Sequence, residues 1–266
     1  METKLKQLLQ DVNTVGREVR WLECIDSTNL ECRRLAAEGA AEGLAILARE
    51  QTAGRGRRGR SFQSSKDIGL YLSVLLRPTE MTRELSNLTA WVAVAVCRAV
   101  KQACGVEPGI KWINDLILNG KKLGGILVEL GLEPGTGKLD HLVVGIGLNV
   151  RHKREDFDPE LRDMATSLEL ELGRGVDLPE LAACLIRELD RMWNDFPAGK
   201  MAYLEEYRRA CITTGQPVQL ITPASREEAR SLEIDEDFHL VVELPDGEIR
   251  KVSAGEVSVR GMYGYV

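Results

Sequence analysis

The segment G-R-G-R-R-G-R, residues 54–60, combines glycine and arginine in a pattern that suits anion binding. Its three glycines leave backbone N–H groups unshielded, and its four guanidinium groups can donate paired hydrogen bonds to phosphate or carboxylate. From Gln51 to Lys66 the chain has five basic residues and no acidic residue, although its net charge is −6. The segment therefore indicates a site for an anionic ligand, with a solvated basic loop or a nucleic-acid-binding tail as alternatives.

The surroundings of this segment favour a binding loop. Apolar runs at residues 44–50 and 68–76 flank it and predict two strands, so both ends of the loop would be fixed to a core. A nucleic-acid-binding tail would normally lie at a terminus, and the acidic remainder of the chain argues against broad affinity for nucleic acid. The segment also lacks the G-x-x-x-x-G-K-S/T spacing of a P-loop.

A second group of charged residues lies in K-W-I-N-D-L (111–116) and K-K-L-G-G-I-L (121–127). Lys111, Asp115 and Lys122 interrupt runs that are otherwise apolar. The glycine pair at 124–125 weakens a strand unless another group must approach its backbone closely. Taken singly, Asp115 is better explained as a turn residue and Lys122 as part of an exposed face.

The helices that must position these residues follow from apolar spacing and capping signals. We predict helices over residues 3–10, 28–39, 83–104, 179–193 and 201–210. Thr28 and Glu31 form a capping-box pattern at the start of the second helix. Gly105 predicts the end of the third helix, and Pro179 lies in the first turn of the fourth.

The predicted strands fall into two groups. Asn119-Gly120 is typical of a type I′ turn and predicts a β-hairpin that joins residues 110–118 to 121–130, with a further strand at 141–150. After Thr214, short β-prone runs predict a small antiparallel barrel. These runs cover residues 218–221, 230–234, 240–244, 249–252 and 257–260.

Composition restricts the class of protein. The longest uncharged runs are shorter than the ~20 apolar residues that a membrane helix needs, and no secretory signal is present, so we expect a cytoplasmic protein. The six cysteines contain no C-x-x-C pair, which favours reduced buried thiols over a zinc site. A length of 266 residues fits one large domain with a small appendage.

Together these motifs resemble the biotin–protein ligases, also called biotin–acetyl-CoA-carboxylase ligases. The resemblance covers the chain from about Trp21 to Arg260 through six motifs in order: D-S-T-N (26–29), Q-T-A-G-R-G-R-R-G-R (51–60), K-W-I-N-D-L (111–116), K-L-G-G-I-L-V-E (122–129), V-G-I-G-L-N-V (144–150) and G-E-V-S-V-R (255–260). Regulatory members of that family carry an N-terminal DNA-binding module of about 50 residues. Residues 1–25 offer no room for one, so the sequence resembles the ligase-only group.

The resemblance implies an α+β fold, in which helices flank a mixed β-sheet of the class II synthetase type and a small SH3-like β-barrel follows. We expect a short N-terminal helix and linker at residues 1–20, a catalytic domain at 21–213 and the C-terminal domain at 214–266.

The activity implied by the resemblance has two half-reactions. Biotin and Mg·ATP give biotinyl-5′-AMP and pyrophosphate, and the biotinyl group then passes to one lysine of a biotin carboxyl carrier protein. ATP, biotin and Mg²⁺ are therefore expected, whereas specific DNA and membranes are not expected partners. Whether the protein forms a homodimer is left open.

The resemblance also assigns residues. The biotin site would comprise Ser27, Thr28, Asn29, Gln51, Gly54, Arg55, Gly56, Arg57, Lys122 and Gly125, with Ser27, Thr28 and Gln51 at the ureido ring. The ATP and adenylate contacts would be Arg55, Arg57, Arg58, Lys111, Asn114, Asn149 and Arg260. The catalytic residues would be Lys122, Arg57, Asp115 and Lys111, with Asp115 orienting or deprotonating the acceptor lysine. No side chain is assigned to a metal.

Three positions depart from the family pattern. Ile113 replaces a usual proline, Phe62 a common tryptophan and Gly124 a common alanine. We interpret Ile113 as loosening the backbone before Asn114, and Gly124 as adding flexibility near Lys122. A lipoate–protein ligase or octanoyl transferase on the same fold is the nearest alternative, and a nucleic-acid-binding module that uses residues 55–60 is the alternative of a different class.

Overall fold

The computed structural model describes residues 1–79, 82–133, 135–222, 225–253 and 258–261, with the backbone alone at positions 258, 260 and 261. A seven-stranded sheet with helices on both faces is followed by a five-stranded antiparallel sheet. This confirms the predicted α+β class. Among the helices described, none has the length and apolar composition needed to cross a membrane.

The large sheet is mixed. Its strands are β1 (Val19–Leu22), β2 (Ala45–Ala48), β3 (Gly69–Leu76), β4 (Gly109–Lys111), β5 (Asp115–Leu118), β6 (Lys121–Leu132) and β7 (Leu139–Asn149). They lie in the order β1-β2-β3-β7-β6-β5-β4. β1 and β2 are parallel, and all other neighbouring pairs are antiparallel. The predicted strands on either side of the Gly/Arg loop are thus neighbours, and the loop connects β2 to β3.

Helices cover both faces of this sheet. They are α1 (Glu2–Leu8), α2 (Thr28–Ala37), α3 (Leu88–Cys104), α4 (Leu168–Leu172), α5 (Leu178–Asp195) and α6 (Lys200–Ala210). α2 packs on β2, β3 and β7, whereas α3 packs against α5 and α6 and contacts β5 and β6. Along β3, Ser73 and Leu75 face α2, while Leu72 and Val74 belong to the larger core beneath α3. The alternation of a strand thus divides its side chains between two helical layers.

The long helices follow the sequence prediction closely. The run predicted from residue 83 begins as a 3₁₀ turn at Arg83–Asn87 and continues as α3, which ends at Gly105 with φ = 79°. In α5, Pro179 lies in the first turn as predicted, and Asp177 accepts a hydrogen bond from Glu180 N. The five-residue helix α4 was not predicted.

The start of α2 differs from the prediction. Ser27, rather than Thr28, is the N-cap residue, and it makes no side-chain cap hydrogen bond. The Thr28 hydroxyl lies 3.0 Å from Gln51 Oε1, and Glu31 accepts a hydrogen bond from Arg34. The predicted capping box is therefore wrong, because tertiary partners engage both side chains.

The hairpin at Asn119-Gly120 is confirmed, since both residues have positive φ, 48° and 76°. The strand predicted over residues 110–118 is instead two strands, β4 and β5, which pair antiparallel around a turn at residues 112–114. The Trp112–Ile113 peptide bond within this turn is cis. Asn114 fixes the turn to β6, because its carbonyl accepts from Ile126 N at 3.0 Å and its Nδ2 donates to Ile126 O at 3.2 Å.

The second sheet contains β8 (Pro217–Ile221), β9 (Arg226–Ile234), β10 (Leu240–Glu243), β11 (Ile249–Val252) and β12 (Ser258–Gly261), in the order β11-β10-β9-β8-β12. Phe238, in the turn before β10, is buried within 5.5 Å of the Tyr207 ring. Its carbonyl accepts from Trp112 Nε1 at 2.9 Å. The C-terminal sheet is thereby attached to the turn between β4 and β5. The boundary at residue 214 stays a prediction.

Candidate active site

Five positions aligned across the large sheet form the floor of the candidate site. The strand register places Tyr71, Gly147, Gly125, Asp115 and Lys111 side by side on β3, β7, β6, β5 and β4. Residues paired in this way project from the same face of a sheet. Because the two central positions are glycines, β6 and β7 contribute no side chains between Tyr71 and Asp115.

A charged cluster lies at one end of this floor. Lys122 Nζ donates to Asp115 Oδ1 at 2.7 Å, and Asn114 Nδ2 lies 3.2 Å from the same oxygen. Lys111, which is 7% exposed, is paired with Asp115 in the register of β4 and β5. One carboxylate is thus flanked by two of the predicted catalytic lysines, and the cluster presents cationic groups to the floor.

Arg57 joins the Gly/Arg loop to this cluster. Its NH1 donates to Asn114 Oδ1 at 2.7 Å, and Asn114 contacts Asp115 in turn. Burial lowers the pKa of the half-buried Arg57 guanidinium, with a smaller effect from the neighbouring Arg58, but an arginine remains charged at neutral pH. Arg57, Asp115 and Lys122 are therefore connected by hydrogen bonds that run through Asn114 and Asp115, and Lys111 lies beside Asp115 in the strand register.

The Gly/Arg loop is folded back on itself. Gly56 N donates to Arg60 O at 2.7 Å, and Phe62 N donates to Gly54 O at 2.9 Å. A Cβ at Gly54 would overlap Phe62 O, so this close approach requires glycine. Because the loop uses the Gly56 amide internally, that amide is not part of the anion-binding nest expected from the glycines, and the side chains are left as donors.

Phe62 covers part of the floor. A Cβ on Gly147 would lie 2.6 Å from the Phe62 ring, and the Phe62 and Tyr71 rings meet edge to face with centroids 6.3 Å apart. Because Gly147 has no side chain, the Phe62 ring of the loop can lie against its backbone.

The other end of the site is a chain of polar side chains, which we call the buried polar chain: Glu129, Asn29, Ser73, Thr28, Gln51 and Ser64. Gln51 Oε1 accepts from Thr28 N at 2.8 Å, and Gln51 Nε2 donates to Ser64 Oγ at 2.8 Å. Ser27, at the N-cap of α2, is buried beside this chain. The structure thus brings together four predicted biotin-site residues, Ser27, Thr28, Asn29 and Gln51.

Sequence reasoning missed Ser73 and Glu129 as site residues. Ser73 Oγ lies 2.7 Å from Thr28 Oγ1, and Glu129 accepts from Asn29 Nδ2 at 2.8 Å. Ser73 is the polar residue within the buried run of β3, and such an interruption is a signal for a hydrogen-bonded role. Glu129 is the last residue of the K-L-G-G-I-L-V-E motif, to which the resemblance assigns no role at this position.

Four further residues predicted to contact the nucleotide lie around these two groups. Asn149 Nδ2 donates to Thr166 O at 3.1 Å. Arg55 pairs with Glu129 at 3.3 Å, and Arg58 NH1 lies 3.4 Å from Ile221 O of β8. The backbone of Arg260 in β12 pairs with that of Gln219 in β8. β8 is also the strand whose Ile221 carbonyl oxygen lies near Arg58.

The structure gives a steric reason for Gly124, and its effect on flexibility near Lys122 stays a prediction. Gly124 lies within the continuous strand β6 opposite Leu148, and a Cβ there would overlap the carbonyl oxygen of Gly147. The close approach of the β7 backbone accounts for this glycine. As for metals, the described ranges hold no group of three or more His, Cys, Asp or Glu side chains placed to bind an ion.

Comparison with known proteins agrees with this geometry. Residues 21–149 match the Biotin/lipoate A/B protein ligase family. The chain is 31% identical to a biotin–acetyl-CoA-carboxylase ligase of Mycobacterium tuberculosis over 263 residues, which cover 96% of this chain and 94% of that protein. It is 33% identical to the bifunctional ligase/repressor BirA of Escherichia coli, covering 96% of this chain and 77% of that protein. The chain belongs to the biotin/lipoate A/B protein ligase family.

Solved structures narrow the similarity to biotin ligases. A biotin protein ligase from Aquifex aeolicus, in complex with biotin and ATP, superimposes with a TM-score of 0.80 at 28% identity and covers 92% of this chain and 99% of that one. A biotin protein ligase from Leishmania major in complex with biotinyl-5-AMP gives a TM-score of 0.62 at 25% identity, covering 90% of this chain and 100% of that one.

Proposed function

We propose that this protein attaches biotin to a lysine of a biotin carboxyl carrier protein in an ATP-dependent reaction through biotinyl-5′-AMP. The observation that carries the proposal is the connected group Arg57, Asn114, Asp115 and Lys122 at the edge of a glycine floor. The buried polar chain at the other end of the site supplies hydrogen-bonding groups for a polar ring. The structural relative from Aquifex aeolicus, solved in complex with biotin and ATP, supports this assignment.

In the first half-reaction, a biotin carboxylate oxygen bonds to the α-phosphorus of ATP, and pyrophosphate leaves with the electron pair of the broken P–O bond. Both reactants are anionic, so cationic donors must offset their repulsion as charge shifts to the pyrophosphate. Lys122 and Arg57 would serve the reacting carboxylate and α-phosphate, with Lys111 beside them. Mg²⁺ would enter with ATP and would offset part of the charge of its phosphates.

In the second half-reaction, the acceptor lysine attacks the carbonyl carbon of the adenylate and AMP leaves. An unperturbed lysine, with a pKa of about 10.4, is almost wholly protonated at neutral pH, so a base must accept its proton. We assign this role to Asp115. Its oxygen already holds Lys122, so the carboxylate would exchange one ammonium partner for another as the carrier lysine enters.

The Gly/Arg loop would cover the adenylate. A mixed anhydride hydrolyses readily in water, so the site must exclude water until the acceptor arrives. Two contacts would hold the loop over the adenylate. The Phe62 ring packs on the Gly147 backbone, and Arg57 donates a hydrogen bond to Asn114.

The test is transfer to a carrier. The protein is incubated with biotin, Mg·ATP and an isolated biotin carboxyl carrier domain, and the carrier mass is followed by mass spectrometry. We expect the mass of one biotinyl group on the carrier, and no gain on a carrier whose acceptor lysine is replaced by arginine. Transfer of lipoate or octanoate instead would identify the related activity of the same family.

A further inference from the structure

Three short hydrogen bonds connect Glu129 to Thr28 within the buried polar chain. Asn29 Nδ2 donates to Glu129 Oε2 at 2.8 Å, Ser73 Oγ lies 2.6 Å from Asn29 Oδ1, and Ser73 Oγ lies 2.7 Å from Thr28 Oγ1. Asn29 is 5% exposed, Ser73 0% and Thr28 3%. A Cβ at Gly145 would overlap Asn29 Oδ1, so β7 leaves space for this amide.

Chemistry fixes the direction of each bond. An ionised carboxylate can only accept, so Glu129 requires the NH₂ group of Asn29, and the Asn29 oxygen then faces Ser73. Two oxygens 2.6 Å apart need a proton between them, and an amide oxygen has none, so Ser73 donates to Asn29. Ser73 has only one proton. The 2.7 Å contact with Thr28 therefore uses the proton of Thr28.

The Thr28 hydroxyl is thus left as an acceptor. Its one proton is engaged by Ser73 Oγ at 2.7 Å and by Gln51 Oε1, which also lies within hydrogen-bond distance at 3.0 Å. Gln51 Oε1 is already satisfied by Thr28 N at 2.8 Å. A ligand group that approaches Thr28 Oγ1 consequently meets lone pairs rather than a donor.

We propose that Glu129 is a positioning residue that, through Asn29 and Ser73, fixes Thr28 Oγ1 as a hydrogen-bond acceptor and so selects a ligand with an N–H donor. This rests on the proposed function, in which Thr28 contacts the ureido ring of biotin. Arg55 at 3.3 Å and Arg33 at 4.0 Å face the other carboxylate oxygen, which leaves Oε2 to Asn29.

The test compares Glu129→Gln, Ser73→Ala and Glu133→Gln, the last an equal charge change at an exposed position just beyond β6. Each protein is assayed by pyrophosphate exchange for KM of biotin, KM of ATP and kcat, and melting temperatures are measured. The carboxylic acid substrates compared in this assay are biotin and the two forms of biotin that are methylated on one ureido nitrogen. A glutamine at 129 can present either oxygen or NH₂, so the direction of the chain is no longer fixed, and Ser73→Ala removes its middle member.

We expect wild type and Glu133→Gln to prefer biotin over at least one methylated form. Glu129→Gln and Ser73→Ala should raise KM for biotin by about tenfold, leave KM for ATP unchanged and reduce the preference for biotin over the methylated form. An unchanged KM and preference in both variants would overturn the inference. So would a fall in melting temperature with unchanged KM for biotin, because Glu129 would then be purely structural. Absence of exchange in wild type would instead overturn the proposed function, and the inference with it.

Discussion

Lys122 carries the ammonium group that lies against the Asp115 carboxylate at the glycine floor. Replacing it with methionine keeps most of the length of the side chain but removes the charge. We expect Lys122→Met to lower the rate of adenylate formation at least 100-fold, about 3 kcal/mol in the barrier, while the fold is retained.

Single-turnover formation of biotinyl-AMP, measured beside the melting temperature, checks this expectation. Lys121→Met is the matched control, since it makes the same change one residue earlier on β6. A folded Lys122→Met protein that forms adenylate at the wild-type rate would place Lys122 among the solvated surface lysines.

Arg57 has a different expected role, because it holds the loop to Asn114 as well as facing the reaction site. Loss of its charge-assisted hydrogen bonds forfeits about 1.5–3 kcal/mol, or roughly 10- to 150-fold weaker retention of the adenylate. Arg57→Gly should still form biotinyl-AMP, supported by Lys122 and Lys111, but release it. Free adenylate acylates accessible amines.

The measurement mixes each variant with biotin, Mg·ATP and an unrelated protein, which is then probed for biotin. Arg60→Gly, an exposed position of the same loop, is the control. Bystander labelling by Arg57→Gly no greater than by wild type, at matched adenylation rates, would exclude Arg57 from adenylate retention.

At the scale of elements, the loop between β2 and β3 depends on close backbone approach at Gly54. A Cβ there would overlap Phe62 O and meet Ser64 Oγ and Gln51 Nε2, whereas at Gly56 it would lie 3.3 Å from Arg60 O. We expect Gly54→Ala to raise KM for biotin by about tenfold or more through displacement of Gln51, and Gly56→Ala to have a smaller effect.

Steady-state pyrophosphate exchange with varied biotin checks this pair of variants. Equal KM values for biotin in Gly54→Ala and Gly56→Ala would show that the loop binds biotin in a conformation other than the one described here.

The sequence predicts elements best where the determining signals are local. The periodicity of α3 with Gly105, and Asn119-Gly120 with its flanking strands, each lie within a short stretch of chain. The capping box at Thr28 fails because Gln51, 23 residues away, takes up the threonine hydroxyl. Similarly, the split of residues 110–118 depends on Asn114 binding Ile126 of another strand. Long-range partners of this kind are invisible to periodicity.

The residues of the candidate site also divide into those that local signals predict and those that depend on long-range contacts. The Gly/Arg loop and the charged residues near Asn114 are signalled by residue type in unusual surroundings. The glycine floor depends on the register that places Gly125 beside Gly147, and the buried polar chain depends on Glu129 reaching Asn29 across 100 positions. Register and such distant pairs arise only on folding.

At the scale of the whole molecule, His152 makes stability sensitive to acid. Burial lowers the pKa of His152, whose ring stacks on Phe157, to about 4. An unfolded histidine has a pKa near 6.5, so between pH 6.5 and 4 the unfolded chain binds more protons than the native protein. Stability is therefore full above about pH 6.5 and falls as the pH drops, by up to about 3 kcal/mol near pH 4.

Urea denaturation at pH 7 and pH 5 measures this loss. Other groups titrate in the same range, so the wild-type difference is compared with that of His152→Leu, which lacks the titrating ring. A smaller loss in the variant is expected, and an equal loss in both proteins would assign the acid sensitivity to other groups.

The C-terminal sheet and the candidate site meet at one turn. Phe238 packs against Tyr207 of α6, and its carbonyl accepts from Trp112, two residues before the Asn114 that holds Arg57. The two sheets are thus in contact next to Asn114, the residue that binds Arg57 of the Gly/Arg loop.

The proposed function depends on activation of biotin by ATP. Exchange of labelled pyrophosphate into ATP measures that step directly, because it requires reversible formation of the acyl adenylate. The reaction is run with Mg²⁺ and with biotin, lipoate, octanoate or no acid. We expect exchange with biotin that is abolished when either biotin or Mg²⁺ is omitted. Equal exchange with lipoate or octanoate would contradict biotin specificity, and no exchange with any acid would contradict the ligase assignment itself.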